Sequence, residues 1–345
     1  MFNLQKEKML FAEHLSLLIR GGTTLNEALD ILKEESKSKR FKKAIEKISK
    51  RILEGESLNK SLAAYPKIFN KFFQNVVKVG EESGTLQENL KYLSLCLKNQ
   101  YSLKQKVLGA LIYPVIVISV ALVIVSGTMI FVLPNLFEKL NIINDELPLL
   151  TKILFGISIF LKENWALLVI AVILLFLLYK VLNYIKITRS ILHKIILSLP
   201  FLGVTSKNSS LAEFSRVFFT LLKSGVPILE ALDICEETLS QEIYKKYIKL
   251  VRTGAERGEK LNVSFKRFPQ IFPSIFCQMV LVGEKSGTLE ESMNYLAEFY
   301  EAESDSALKN FSSIIEPVLL IFVGLFVAFI ALAIITPIYQ FTSNL

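Results

Sequence analysis

The chain has 345 residues, 52% of them hydrophobic and 21% charged, with 40 Lys and Arg against 32 Asp and Glu for a formal net charge of +8. A mean hydropathy of +0.44 is too apolar for an ordinary soluble protein, and the charged fraction is too large for a compact multi-span transporter. A mixed protein fits these bounds, with soluble domains tied to a few membrane spans.

Taken in order, the first hundred or so residues read as helices. Phe11, Leu15, Leu18 and Ile19 make an apolar face that ends at Gly21 and Gly22. Thr23 or Thr24 caps the next helix, with Leu25, Ala28, Leu29 and Leu32 facing the core and Glu27 placed for a capping box. A third helix over 40–53 turns Ala44, Ile45, Ile48 and Ile52 inward, carries a dense basic outer face and stops at Gly55. A short helix over 57–64 ends before Pro66, and a fifth covers 69–79. Residues 80–84 read as a turn, after which Thr85 caps a long sixth helix running toward the membrane. Short connections make this a compact all-α, six-helix bundle.

Apolar windows follow at 107–133, at 165–179 with 181–185 extending it past Lys180, and at 317–341. A bilayer core of about 30 Å needs about 20 apolar residues in a helix, so each window reads as a span. The expected layout is a bundle at 1–106, spans at 107–133, 164–185 and 313–341, an outer loop at 134–163, and a second bundle at 186–312. Leu147, Leu150, Ile153, Leu154, Ile157 and Phe160 read either as an amphipathic helix on the outer membrane surface or as an extension of the second span. Residues 1–10 are polar, without a signal-peptide pattern. Lys98, Lys104 and Lys106 precede the first span, Lys186, Arg189 and Lys194 follow the second, and Lys309 precedes the third. That bias puts both bundles and the N-terminus inside, and the loop and C-terminus outside.

The chain is a tandem duplication. The run 79–86, Val-Gly-Glu-Glu-Ser-Gly-Thr-Leu, returns at 282–289 as Val-Gly-Glu-Lys-Ser-Gly-Thr-Leu, a spacing of 203 residues. In the same register Gly22 to Leu29 aligns with Gly225 to Leu232, Gly55, Glu56 and Pro66 with Gly258, Glu259 and Pro269, and Tyr92 with Tyr295. Pro114 and Pro134 align with Pro317 and Pro337, without insertion or deletion from about 11 to about 137.

The sequence shows no catalytic set: no phosphate-binding loop, nucleophile elbow, zinc-binding helix or paired cysteines. No cofactor is expected. Cys96, Cys235 and Cys277 are odd in number and not spaced as metal ligands, and His14 and His193 are isolated. Apart from Lys180, whose side chain can snorkel to the interface, the spans offer only Glu316, at the edge of the third, so a coupled transporter lacks its parts. In the repeated turns, Gly80, Gly84, Gly283 and Gly287 allow positive φ, and Glu81 and Glu284 accept hydrogen bonds from exposed backbone donors. A cation site at Glu81 and Glu284 is a second reading of the same element. Charge separates the copies: residues 1–105 hold 19 Lys and Arg against 12 Asp and Glu, residues 186–312 hold 16 against 15. The excess lies on the third helix, at Lys39, Arg40, Lys42, Lys43, Lys47 and Lys50. Such a face reads either as a site for acidic lipid or an acidic partner or as a solvated surface; nucleic acid is not expected, because no nucleic-acid module accompanies it.

These residues resemble the type II secretion system F family, the inner-membrane platform proteins of type II secretion, type IV pili and DNA-uptake pseudopili. The carriers are the duplicated turns ending at Leu86 and Leu289, the segment 225–232, the Tyr113-Pro114 and Glu316-Pro317 pairs entering spans, and Pro337 within 335–339. Residues 22–25 of the first copy depart from the pattern that 225–228 keep. The resemblance implies no catalysis, a bacterial inner-membrane location, contact with a cytoplasmic assembly ATPase, with pilins or pseudopilins and with other inner-membrane assembly proteins, and homo-oligomerisation. It implies that the chain passes ATPase motion to pilins leaving the membrane, with the basic helix as the ATPase-docking patch. A transporter or channel subunit is the alternative, and pilus, secretion and competence machines are not distinguished.

Overall fold

The computed structural model describes residues 2–132, 135, 152–153, 156, 158–160, 163–164 and 202–343. The first copy comprises α1 (Phe2–Arg20), α2 (Leu25–Glu35), α3 (Lys39–Leu53), α4 (Leu58–Ala63), α5 (Lys71–Ser83) and α6 (Leu86–Gly127), which passes into a π-helical turn at Thr128–Val132. The second comprises α7 (Leu202–Lys223), α8 (Ile228–Thr238), α9 (Glu242–Glu256), α10 (Leu261–Lys266), α11 (Ser274–Ser286) and α12 (Leu289–Ser343). No strand occurs among the described residues. From α2 to α5 each helix begins and ends at the position its counterpart among α8 to α11 keeps in the 203-residue register.

The two copies reach the same helix ends by different chemistry. In the first, Thr24, Ser38, Ser57 and Asn70 stand before α2, α3, α4 and α5, and each side chain accepts an amide of the first turn. Thr24 and Glu27 form the full capping box. The second copy puts Pro227, Gln241, Lys260 and Pro273 at these positions, none with a side-chain cap bond. Proline compensates by holding φ near the helical value before the helix begins.

Two sequence expectations change. The fifth helix starts at Lys71 rather than 69, because Asn70 takes the amide of Phe73 at 3.3 Å. It then runs through Gly80 to Ser83, so the turn expected over 80–84 shrinks to Gly84 and Thr85. Gly80 is helical; among the turn glycines Gly84 and Gly287 have positive φ, +72° and +73°.

Two units are present. The first holds Met1–Lys106 and His193–Ala307, and so contains both copies up to the apolar helices. Its core is continuous from Phe11 of α1 to Tyr300 of α12. Four rings repeat in it: Phe11, Phe41, Phe69 and Phe73 in the first copy, Phe214, Tyr244, Phe272 and Phe276 in the second. Phe69 lies 4.9 Å from Phe73 and 5.5 Å from Phe11 between centroids; Phe272 lies 5.3 Å from Phe276. The copies join where α5 packs on α7 and α8. Tyr92 meets Phe219 edge-on at 6.3 Å, Lys71 pairs with Glu237 at 2.6 Å, and Lys106 pairs with Asp305. Arg216, nearly buried, makes a two-bond pair with Glu301, and Asn99 donates to the same carboxylate.

The second unit holds Val107–Leu192 and Leu308–Leu345. Two helical stretches, Leu86–Val132 and Leu289–Leu332, are long and apolar enough to cross a membrane. The expected sixth helix and first span are therefore one helix. Pro114 and Pro317 lie inside α6 and α12 without ending them, although each removes an amide donor to the carbonyl one turn earlier. Ser119 and Thr128 return their hydroxyls to carbonyls of the preceding turn, as polar groups in apolar surroundings require. Ile118, Leu122 and Val125 of α6 face Leu319, Phe322 and Phe326 of α12 across an apolar cavity of about 260 Å³. The second span at 164–185, the outer-loop helix and Pro134 lie outside the described residues, apart from isolated loop positions.

A shared core makes one prediction. Phe69→Ala and Phe272→Ala each remove a ring with no exposed surface and should each cost about 3–5 kcal/mol. Both should lower the same thermal transition of the purified protein. Two separable transitions, each sensitive to one variant, would show that the copies unfold independently.

Candidate functional site

The repeated turn is built around a short helix that cannot stand alone. α4 has six residues, too few to offset the cost of nucleation. Glu81, on α5, reaches back to its N-terminus: one carboxylate oxygen accepts the amide of Leu58 at 2.6 Å, the other that of Asn59 at 2.8 Å. Glu284 does the same for α10, with Leu261 at 2.5 Å and Asn262 at 2.9 Å. A carboxylate against unpaired amides at the positive end of a helix is a charge-assisted cap. Both oxygens of each glutamate are thereby engaged. Among the described residues no group of three or more His, Cys, Asp or Glu is arranged to hold a metal ion.

The other members of the motif have local tasks. A Cβ added to Gly80 would stand 2.9 Å from the Cα of Leu86, and one on Gly283 2.9 Å from the Cα of Leu289. These glycines let α5 and α11 lie close against the helices that follow. Gly84 and Gly287 take the left-handed conformation that ends α5 and α11. Ser83 and Thr85 share a hydrogen bond of 2.6 Å, as do Ser286 and Thr288. The Thr85 hydroxyl is thus held by Ser83, while its carbonyl accepts the amide of Asn89. Leu86 and Leu289 pack on the core.

A second repeated glutamate shows an exchange of partners. Glu56 accepts the hydroxyl of Ser61 and pairs with Arg51, at the end of α3. Glu259 accepts Ser264 and pairs with Arg267, beyond α10. In the second copy the position of Arg51 is Gly254, and in the first the position of Arg267 is Ala64. The guanidinium comes from the preceding helix in one copy and from beyond the following helix in the other, and in both copies holds the carboxyl below the usual carboxylate range.

The basic residues of α3 divide into paired and unpaired. Lys42 meets Glu34 at 3.0 Å and Lys50 meets Glu46 at 3.3 Å. Lys39, Arg40, Lys43 and Lys47 are exposed and make no ion pair among the described residues. Sequence reasoning missed Lys67, which lines the same groove as Arg40, Lys43 and Lys47; its distance along the chain hid it. Of the span-entry residues, Tyr113 and Glu316 are exposed along α6 and α12. Pro337 lies within α12. The three cysteines are buried; burial pushes the Cys96 thiol up to about 12 and raises Cys235 as well, so neither is poised as a nucleophile.

These features define an all-helical, tandemly duplicated protein whose copies each run into a long apolar helix. The family model described as type II secretion system (T2SS), protein F matches residues 11–134 and again 214–337. The chain belongs to that family. The two matches are offset by the 203 residues of the internal repeat. The type IV pilus assembly protein PilC of Thermus thermophilus is 29% identical over 340 residues, covering 99% of this chain and 84% of that protein. PilC of Pseudomonas aeruginosa is 30% identical, covering 96% and 88%. The type II secretion system protein F of Aeromonas hydrophila is 28% identical, covering 98% and 87%.

The cap geometry predicts unequal effects. Glu284→Ala should destabilise the protein by about 1–3 kcal/mol, because α10 has no other side-chain cap. Glu81→Ala should cost less, since Ser57 still accepts the amide of Lys60. Equilibrium denaturation of the two variants checks the order, and an equal loss would show that Ser57 contributes nothing.

Proposed function

We propose that this chain is a non-enzymatic inner-membrane platform protein of a type IV pilus or type II secretion-like machine, coupling a cytoplasmic assembly ATPase to the polymerisation of pilins or pseudopilins. The observation that carries this reading is the twofold match to one family at a fixed offset, each ending in an apolar helix. In this reading each copy is a six-helix bundle on the cytoplasmic side, at 1–106 and 186–312. Three spans at 107–133, 164–185 and 313–341 place the C-terminus outside. Pilin helices meet the spans, and the unpaired cations of α3 meet the ATPase. The continuity of α6 and α12 supports such coupling, because a helix transmits displacement along its axis better than a loop does.

Topology is testable with introduced cysteines, since Cys235 is fully buried and a poor label. In a cysteine-free background, Lys246→Cys should react with a membrane-impermeant maleimide only after cells are permeabilised, and Asn344→Cys should react in intact cells. Labelling of position 246 in intact cells would refute the three-span arrangement.

Docking is testable by charge. Lys43→Glu with Lys47→Glu should leave the fold intact, because both side chains are exposed beside the buried Ala44, Ile45 and Ile48. Binding to the ATPase should fall by about tenfold or more, and the binding that remains should depend less on salt. Unchanged affinity would move the ATPase contact elsewhere.

A further inference from the structure

The internal duplication supplies a control for one surface of the first copy. Between α3 and the α4–α5 connection lies an open groove of about 370 Å³. Its floor is Ala44, Ile68 and the half-buried ring of Tyr65, and its rim is Arg40, Lys43, Lys47 and Lys67. In the second copy the position of Ala44 is Tyr247, whose ring sits on Phe268, the counterpart of Tyr65, with centroids 4.9 Å apart. The rim positions there are Ile243, Lys246, Leu250 and Gln270, so three of four cations are gone. One backbone thus carries two versions of a corner: closed by its own aromatic ring and weakly charged, or open and ringed by four exposed cations without an ion pair among the described residues.

We propose that this groove takes an acidic segment of a partner protein, with one bulky apolar side chain seated where Tyr247 sits in the second copy and flanking carboxylates on the four cations. The proposal rests on the reading of α3 as a docking face and adds the chemistry of what docks there. The apolar floor argues for an anchoring side chain, and an aromatic ring packed at a tilt of 58° against a second ring is the arrangement the second copy already adopts. The rim sets the sign of the flanking charge. A bare phosphate would leave the floor unfilled. Moreover the amides of Leu58, Asn59, Lys60 and Phe73 at the starts of α4 and α5 are already taken by Glu81, Ser57 and Asn70, which removes the usual backbone cradle for an anion.

The test uses the full-length protein in neutral-lipid nanodiscs and two fluorescein-labelled peptides, Glu-Asp-Trp-Glu-Asp and Glu-Asp-Ala-Glu-Asp, followed by anisotropy. The tryptophan peptide should bind about tenfold more tightly than the alanine peptide. Ala44→Tyr copies the second repeat and should abolish that advantage while keeping every cation; Ala44→Ser should retain it. Should Ala44→Tyr lower helicity or melting temperature, Tyr65→Ala replaces it and should also abolish the advantage. Equal binding of the two peptides, or an advantage that survives these variants, overturns the proposal. Displacement of the tryptophan peptide by inorganic phosphate or by phosphatidylglycerol vesicles, with loss of either competitor's binding in Ala44→Tyr, makes the groove a phosphate or headgroup site and also overturns it. If the double lysine reversal weakens ATPase binding while Ala44→Tyr leaves both ATPase and tryptophan-peptide binding unchanged, the docking reading stands and the groove proposal alone fails.

Discussion

The burial of α5 is the constraint on which the rest of the first unit depends. Phe72, Phe73, Val76 and Val77 are withdrawn from water, and that burial fixes how the helix is rotated. Once fixed, the remaining faces are committed. Glu81 falls on the exposed amides of α4, Gly80 lies against the start of α6, and Val79 lies 3.7 Å from where a Cβ on Gly225 would stand. One thirteen-residue helix thus caps a neighbour, closes a hairpin and joins the two copies. In the octet that recurs at 79–86 and 282–289, the glutamates at 81 and 284, the serines and the threonines each hold a backbone group or another hydroxyl, while Glu82 and Lys285, the position where the copies differ, are exposed.

Duplication shows which interactions the backbone requires and which can be exchanged. The four rings, the left-handed glycines and the glutamate caps on α4 and α10 are kept in both copies. The N-cap side chains are not: four polar caps in one copy become prolines or long polar residues in the other. An N-cap contributes about 1 kcal/mol and can be replaced by a rigid φ, whereas a buried ring contributes several and has no local substitute. The partner of Glu56 and Glu259 lies between these cases. A guanidinium is kept, but it is supplied by Arg51 before the carboxyl in one copy and by Arg267 after it in the other.

The apolar helices extend the same economy into the second unit. α6 and α12 each run from the first unit into the second as one continuous helix. Pro114 and Pro317 interrupt the regular hydrogen bonding of α6 and α12 at matching positions. An interior proline leaves a carbonyl without its donor and favours a bend, which sets a specific place where direction can change within an otherwise stiff element. Their recurrence in register makes these places equivalent in the two copies.

Helix number and order in the first copy, the capping box at Thr24, the inward face of α3 and the register of the duplication were legible in the sequence. They depend on periodicity and on side chains within four residues of the backbone groups they bind. The role of Gly80 was not legible, because a glycine kept for close helix packing and one kept for positive φ look alike until the neighbouring helix is in place. Nor was the groove: Lys67 joins Arg40, Lys43 and Lys47 only when α3 is laid against the α4–α5 connection, and the significance of Ala44 emerges only beside Tyr247. Sequence alone determined what is local or repeated, since those signals lie along the chain. Tertiary structure decided which distant side chains share a surface and which glutamate reaches which helix, because both depend on the rotation of packed helices about their axes, which the burial of the whole core sets at once.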